Sequence, residues 1–239
     1  MPATIYLIPS NLSEDNFAVF PMSILAGIKS CDIFFVENKR TTRRFFKKLW
    51  NHFLPSETII IDDYEWYEIG ENTEATFRQK IKEQQTIGLV SEAGCPGVAD
   101  PGQSFIALAH EYKATIKPLV GPSSILLALM GSGMNGQQFQ FLGYLPIDKN
   151  KRTTAIQQIE SASAKNNCTQ IFIETPYRNN ALLQSLMETC KDKTRMCIAV
   201  NLTGSQESIQ TKTIKEWKKN IPDIHKQPAI FLLHSDANN

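Results

Sequence analysis

Short apolar runs separated by helix-forming stretches dominate the N-terminal half, and that alternation limits the fold more than any other feature. Residues 4–8, 32–36, 58–61, 87–90 and 115–119 read as strands. Each ends in small, polar or proline-containing turns: Pro9-Ser-Asn11, Glu37-Asn38, Ser91 to Asp100, and Gly121-Pro-Ser-Ser124. Between them, residues 21–30, 41–50, about 71–85 and the segment after Pro101 have helical spacing. Strands and helices at this spacing predict a mostly parallel sheet covered on both faces. In such a sheet the loops at the strands' carboxyl ends converge on one edge, where open α/β sheets bind ligands.

The loop after the fourth strand is the most informative of these. Gly94 and Gly97 have no Cβ, so a ligand can approach the backbone closely. Pro96 and Pro101 stiffen it, and Asp100 is placed to cap the following helix. No G-x-G-x-x-G follows a strand and no Walker lysine is present, which argues against a dinucleotide or a nucleoside triphosphate. The loops suit instead a polar small molecule with an adenosine-like part.

Beyond residue 134 the pattern changes, and a domain boundary is expected there, with domains at 1–134 and 135–239. The second half predicts helices near 151–164, 178–190 and 214–219. Its strands fall near 138–142, 169–174, 196–200, 208–213 and 229–234. That is a mixed α/β unit with some antiparallel pairing.

Composition narrows the classes further. The formal net charge is +1, which points neither toward nor away from nucleic acid. The five cysteines, Cys31, Cys95, Cys168, Cys190 and Cys197, are scattered and form no C-x-x-C pair. They read as reduced thiols of a cytoplasmic protein, with no disulfide framework and no metal site. No signal-peptide pattern and no run of about 18 apolar residues is present, so no membrane association is expected.

One charge run stands out. Lys39-Arg-Thr-Thr-Arg-Arg-Phe-Phe-Lys-Lys48 carries six cations in ten residues, directly after a strand end. A solvated helix face is the ordinary explanation. Cations beside a pocket also attract polyanions, so a phosphate-backbone contact is the sharper one. The carboxylates Glu37, Glu71, Glu92, Asp100 and Glu174 are candidates for proton handling or for capping and ion pairing.

These stretches resemble, in order, the motifs of the tetrapyrrole methylase superfamily. The closest branch is that of the bacterial small-subunit ribosomal RNA 2′-O-ribose methyltransferases. Ser91-Glu-Ala-Gly-Cys-Pro-Gly-Val-Ala-Asp-Pro-Gly102 resembles the branch's Ser-Asp-Ala-Gly-Thr-Pro…Asp-Pro-Gly signature. Glu37-Asn-Lys-Arg-Thr-Thr-Arg-Arg44 is similar to its Glu-Asp-Thr-Arg-x-Thr-Arg-Arg. Gly121-Pro-Ser-Ser124, Phe141-Leu-Gly-Tyr-Leu-Pro146 and Ile171-Phe-Ile-Glu-Thr-Pro-Tyr-Arg178 match further elements.

The resemblance implies a two-domain α/β fold with S-adenosyl-L-methionine in the cleft between the domains, no metal, and a cytoplasmic homodimer. It implies donor contacts from Pro9, Gly94, Cys95, Pro96, Val98, Ser123 and Ser124. In the second domain it implies Thr175, Asn201, Leu202, Pro228 and Ala229. Glu37 and Arg40 would position the acceptor or handle its proton, and Arg43 and Arg44 would hold ribosomal RNA or the small ribosomal subunit. The chain departs from the family in its first loop, where Ile8-Pro-Ser-Asn11 replaces Gly-Thr-Pro-Ile-Gly-Asn. It also departs at Ala199-Val-Asn201, where the family has Ala-Arg-Glu. The family enzyme usually continues past the last strand into a helical extension, so this reads as a shortened, divergent member. Two alternatives stay open: a methyltransferase acting on a tetrapyrrole or other small molecule, and a non-catalytic donor-binding relative.

Overall fold

The structure is a computed structural model that describes residues 2–14, 16–70 and 73–236. The chain forms two compact units, residues 1–123 and 124–239. The first is built on β1 (Thr4–Ile8), β2 (Ile33–Val36), β3 (Glu65–Glu68), β4 (Thr86–Val90) and β5 (Thr115–Pro118). All pairs are parallel, in the order β3-β2-β4-β1-β5. Its helices are α1 (Ser23–Lys29), α2 (Lys39–Phe53), α3 (Thr73–Lys82) and α4 (Gly102–Glu111).

The continuous apolar runs follow from burial on both faces, as parallel sheets require. Alternate residues of one strand enter different cores. Phe34 and Val36 pack with Ile24, Phe46 and Leu49 of α1 and α2. Ile33 and Phe35 pack with Phe77 and Phe105 of α3 and α4. The ring of Phe34 lies 5.0 Å from Phe46 and 4.8 Å from Trp66. It also crosses Gly88, its register partner in β4. A Cβ on Gly88 would come 2.4 Å from that ring, so only glycine leaves room for it.

The second unit holds α5 (Ser124–Ser132), β6 (Phe139–Tyr144), α6 (Lys149–Asn166), β7 (Thr169–Ile173) and α7 (Asn179–Thr189). It continues with β8 (Arg195–Val200), β9 (Ser208–Thr213), α8 (Ile214–Trp217) and β10 (Ala229–His234). The sheet order is β6-β7-β10-β8-β9. β6 and β7 are parallel, and the other pairs are antiparallel. Phe172 and Phe231 stack at 5.9 Å in its core, and Trp217 donates its indole N–H to the Met196 carbonyl at 2.9 Å. A capping box of Thr213 and Glu216 starts α8.

Several sequence expectations change. The third strand is Glu65–Glu68, not 58–61. Ile59 and Ile61 are apolar because their side chains are buried in the α1–α2 core, not because their backbone joins a ladder. Asp100 is not the N-cap of α4, which is Pro101 in a helical conformation. The Asp100 carboxylate instead accepts from the Gly97 and Gly102 N–H groups, both at 2.8 Å, and closes the loop on itself. Glu71, expected to open α3, lies outside the described residues. The two units divide at 123/124 where the sequence suggested 134/135, a difference of one helix. α5 packs on β9 and β10 and so groups with the second unit.

Candidate functional site

At the carboxyl edge of the parallel sheet, the β1 and β4 loops are joined backbone to backbone. The Ser10 N–H donates to the Gly94 carbonyl at 2.8 Å, and the Gly94 N–H returns to the Ser10 carbonyl at 3.1 Å. The Ser10 hydroxyl donates to the Ser91 carbonyl at 2.5 Å, and the Ser91 hydroxyl donates to the Gly94 carbonyl at 2.8 Å. Gly94 has φ +74°, which this closure needs and which side chains resist. A Cβ there would stand 3.5 Å from Leu12 and 3.6 Å from the Pro122 carbonyl, in ordinary contact, so it is the backbone conformation and not crowding that favours glycine. The third loop joins through Cys95, whose thiol lies 3.5 Å from the Pro122 carbonyl. Burial pushes that thiol's pKa up, so it sits there as a neutral group.

Within the first unit, then, the strand-end loops carrying Pro9, Gly94 to Val98 and Ser123 do come together. Pro9 and Pro96 are buried, Cys95 and Ser123 half-buried, and Val98 exposed.

Next to these loops stands the start of α2. Asn38 caps it, accepting from the Arg40 and Thr41 N–H groups at 2.9 and 3.1 Å. The Glu37 carboxylate accepts the Glu92 N–H at 2.8 Å, and the Glu92 carboxylate accepts the Thr41 hydroxyl at 3.0 Å. Glu37 is thus tied to the β4 loop. Burial raises its pKa above the ordinary carboxyl value, the Glu92 N–H pulls it down, and the charges of Asp100 and Glu92 raise it further.

A raised pKa means that the folded state binds this proton more tightly than the unfolded chain does. Ionising Glu37 therefore costs stability: its contribution begins to fall as pH passes the ordinary carboxyl value and is fully lost once pH has risen through the raised folded value. Glu37→Gln keeps an acceptor for the Glu92 N–H without the charge. Relative to the wild type, its stability is expected to be better at about pH 7 than at about pH 4. Denaturant unfolding at both pH values checks this. A difference that is independent of pH would show that Glu37 is not the group responsible.

The cations of α2 do not act alike. Arg43 pairs with Asp62 and lies 6.0 Å over the Trp66 ring. Arg44 turns the other way, toward Glu14 at 3.7 Å. Arg40 and Lys47 are exposed. Arg40, Arg43, Arg44 and Lys47 line one open groove along the helix with Lys39, Lys48 and Glu68.

In the second unit, the turn after β7 is held by Glu174, whose side chain is 1% exposed. Its carboxylate accepts the Thr175 N–H at 2.7 Å and the Arg178 guanidinium at 2.6 Å. The family motif carries this carboxylate, and its role here is to fix the turn. Asn201, at φ +52°, donates its backbone N–H to the Pro228 carbonyl and its side-chain amide to Gln227 at 2.8 Å. Fully buried Asn179 donates to the Gln227 carbonyl at 2.7 Å. The 201–202 and 227–229 loops are therefore brought together. Asn179, Gln227, Ser10 and Ser91 organise these loops; sequence reasoning placed Ser10 and Ser91 in strand-end loops without giving either a role, and passed over Asn179 and Gln227. Their positions at strand and helix ends were the only available signal.

The family model described as Tetrapyrrole (Corrin/Porphyrin) Methylases matches residues 24–218. The chain belongs to the tetrapyrrole methylase family. Relatives of this chain include a protein of Micromonospora olivasterospora named ribosomal RNA small subunit methyltransferase I. It is 30% identical over 216 residues, covering 89% of this chain and 64% of that one. A protein of the same name from Vibrio cholerae serotype O1 is 27% identical over 234 residues, covering 96% of this chain and 76% of that one. The chain thus spans somewhat under two thirds of the first relative and about three quarters of the second.

Solved structures share the fold. Uroporphyrin-III-C-methyltransferase from Thermus thermophilus superposes with a TM-score of 0.57 at 12% identity, covering 99% of this chain and 96% of that one. Diphthine synthase superposes with a TM-score of 0.64 at 11% identity, covering 98% and 90%. Among the described residues no helix is long and apolar enough to cross a membrane.

Proposed function

We propose that this methylase transfers a methyl group from S-adenosyl-L-methionine to a ribose 2′-hydroxyl of small-subunit ribosomal RNA. The observation that carries the proposal is a juxtaposition on one sheet edge. Small, glycine-containing loops suited to a polar ligand stand beside a helix that offers six cations. The relatives named as ribosomal RNA methyltransferases support the same acceptor. The resemblance adds a cytoplasmic homodimer.

The residues fit the donor. The loops at the sheet edge, joined through the Ser10–Gly94 backbone pairing, suit a ligand with an adenosine part held by backbone groups. In the first unit Pro9, Gly94, Cys95, Pro96, Val98 and Ser123 would hold it. In the second unit Ser124, Thr175, Asn201, Leu202, Pro228 and Ala229 would. When bound, the donor supplies an electrophilic methyl carbon on a sulfonium.

This chain's groups then align the acceptor, which is where most of the rate gain in an in-line displacement arises. Glu37 is the candidate to take the hydroxyl proton, because its raised pKa makes it a better acceptor near neutral pH than an ordinary carboxylate. Arg40 is the candidate to position the neighbouring phosphate, and Arg43 and Arg44 the candidates to hold RNA.

Calorimetric titration with S-adenosyl-L-methionine is expected to show micromolar binding, about −8 kcal/mol. Ser123→Trp is expected to abolish it. Wild-type affinity in that variant would displace the donor site from these loops. A 2′-O-methylation map of ribosomal RNA with and without the gene tests the acceptor. An unchanged map alongside intact donor binding would favour a tetrapyrrole, whose carboxylates also suit the basic face of α2.

A further inference from the structure

We infer that a cavity of about 240 Å³ in the first unit is the pocket that receives one unstacked nucleotide of the RNA acceptor. The inference deepens the function proposed above and rests on it. The cavity lies between the first loop at Asn11, the β4 loop at Glu92 and Ala93, and one face of α2. Thr41, Arg44, Phe45 and Lys48 of α2 line it, at the i, i+3, i+4 and i+7 spacing of one helix face.

None of the donor candidates lines it. It adjoins their loops through Ser10 and Ser91, which bond to the Gly94 backbone, and through Ala93, the residue before Gly94. A methyl acceptor needs that relation to the donor: next to it and not overlapping it.

The chemistry of the walls selects the occupant. Phe17 and Phe45 form an aromatic wall, their rings 6.1 Å apart and 23° from parallel. Every base has a flat apolar face that packs on such a surface. Glu92 is fixed in the opposite wall, its N–H held by Glu37 and its carboxylate by Thr41. A fixed carboxylate repels phosphate and accepts from a sugar hydroxyl or a base amino group. Phosphate is therefore directed to Lys48 and to Arg44, whose exposed partner Glu14, 3.7 Å away on the same rim, it would have to displace. Arg44 and Lys48 also line the groove of Lys39, Arg40 and Lys47 on α2, so one cationic path leads from the helix surface to the cavity mouth. Aromatic wall, hydrogen-bond acceptor and cationic rim together describe a nucleotide drawn out of its strand. Enzymes that act on buried positions of nucleic acid expose their target in this way.

The test is photo-crosslinking of a short single-stranded RNA containing 4-thiouridine to the full chain, with peptide mapping, beside RNA affinity and donor calorimetry for Ala93→Trp. Ala93 is exposed at the cavity mouth, so the indole fills the space without entering the core. The expected crosslinks fall on the cavity-lining residues Phe17, Thr41, Phe45 and Lys48. The variant should lose about tenfold in RNA affinity with unchanged donor affinity.

Crosslinks confined to Lys39, Arg40 and Lys47, with Ala93→Trp binding RNA normally, would overturn the pocket and leave the RNA function standing. Loss of donor affinity in Ala93→Trp would overturn it by giving the cavity to the donor. Absence of RNA binding even at low salt would remove both the pocket and the ribosomal acceptor. The crosslink map uses the unaltered chain, so it decides the matter even if the variant fails to fold.

Discussion

Gly88→Val is expected to destabilise the first unit by about 3 kcal/mol, at the upper end of the usual cost of overpacking a core. The position is the middle of β4, paired on one side with β1 and on the other with β2. A first side-chain carbon alone would lie 2.4 Å from one ring carbon of Phe34, 2.5 Å from another and 3.0 Å from Ile8. Phe34 cannot turn aside, because Phe46, Tyr64 and Trp66 hold it from other directions at 5.0, 5.1 and 4.8 Å between centroids. The strand cannot shift either without breaking two ladders. A thermal melt should show a transition lower by roughly 10 °C. A melt within a degree or two of the wild type would show that the aromatic cluster repacks easily, and that its order is not what holds β2 against β4.

Arg44→Glu combined with Lys47→Glu is expected to weaken single-stranded RNA binding by about 100-fold at moderate salt. It should also make the salt dependence shallower by about 1.4 in log–log slope, two contacts at roughly 0.7 each. Both residues line the groove along α2, and both are exposed. Arg43 is a poorer choice although it lies in the same run. It is already paired with Asp62 and packed over Trp66, so reversing it would disturb the fold along with the surface. Filter binding at several salt concentrations separates the cases. An unchanged slope would mean that RNA, if bound, does not run along this helix. Donor affinity measured on the same preparation should not move, since neither residue belongs to the strand-end loops.

Where the sequence was readable, one physical cause explains it. β2, β4 and β10 are buried on both faces along almost their whole length, so each shows as a mainly apolar run. β3 escaped because it is an edge strand. Glu65-Trp-Tyr-Glu68 has charged ends, and its aromatic side chains pack on Phe34 and Phe35 of a single neighbouring strand. The strand-end loops were legible because parallel topology sends them all to one edge. The cavity was not. Phe45 reads as core, and Arg44 and Lys48 read as a solvated face. Only the recurrence of Thr41, Arg44, Phe45 and Lys48 on one side of a helix hints that they face a common space. Nor could the sequence show that Glu37 and Glu92 meet, because a backbone N–H rather than a side chain joins them.

The two sheets differ in when they can be finished. The strands of the first unit are all made by Pro118, and that sheet can close while the rest is still being synthesised. In the second, β10 sits at the centre of the sheet, between β7 and β8, yet it comes after the sheet's four other strands in the chain. Until Ala229–His234 emerges, β7 and β8 each carry an open edge with nothing to pair with. Open edges of apolar strands are where chains adhere to one another. The interval between Val200 and Ala229 is thus the vulnerable period in this protein's synthesis, and translation that slows or stops there leaves a half-sheet exposed at its middle.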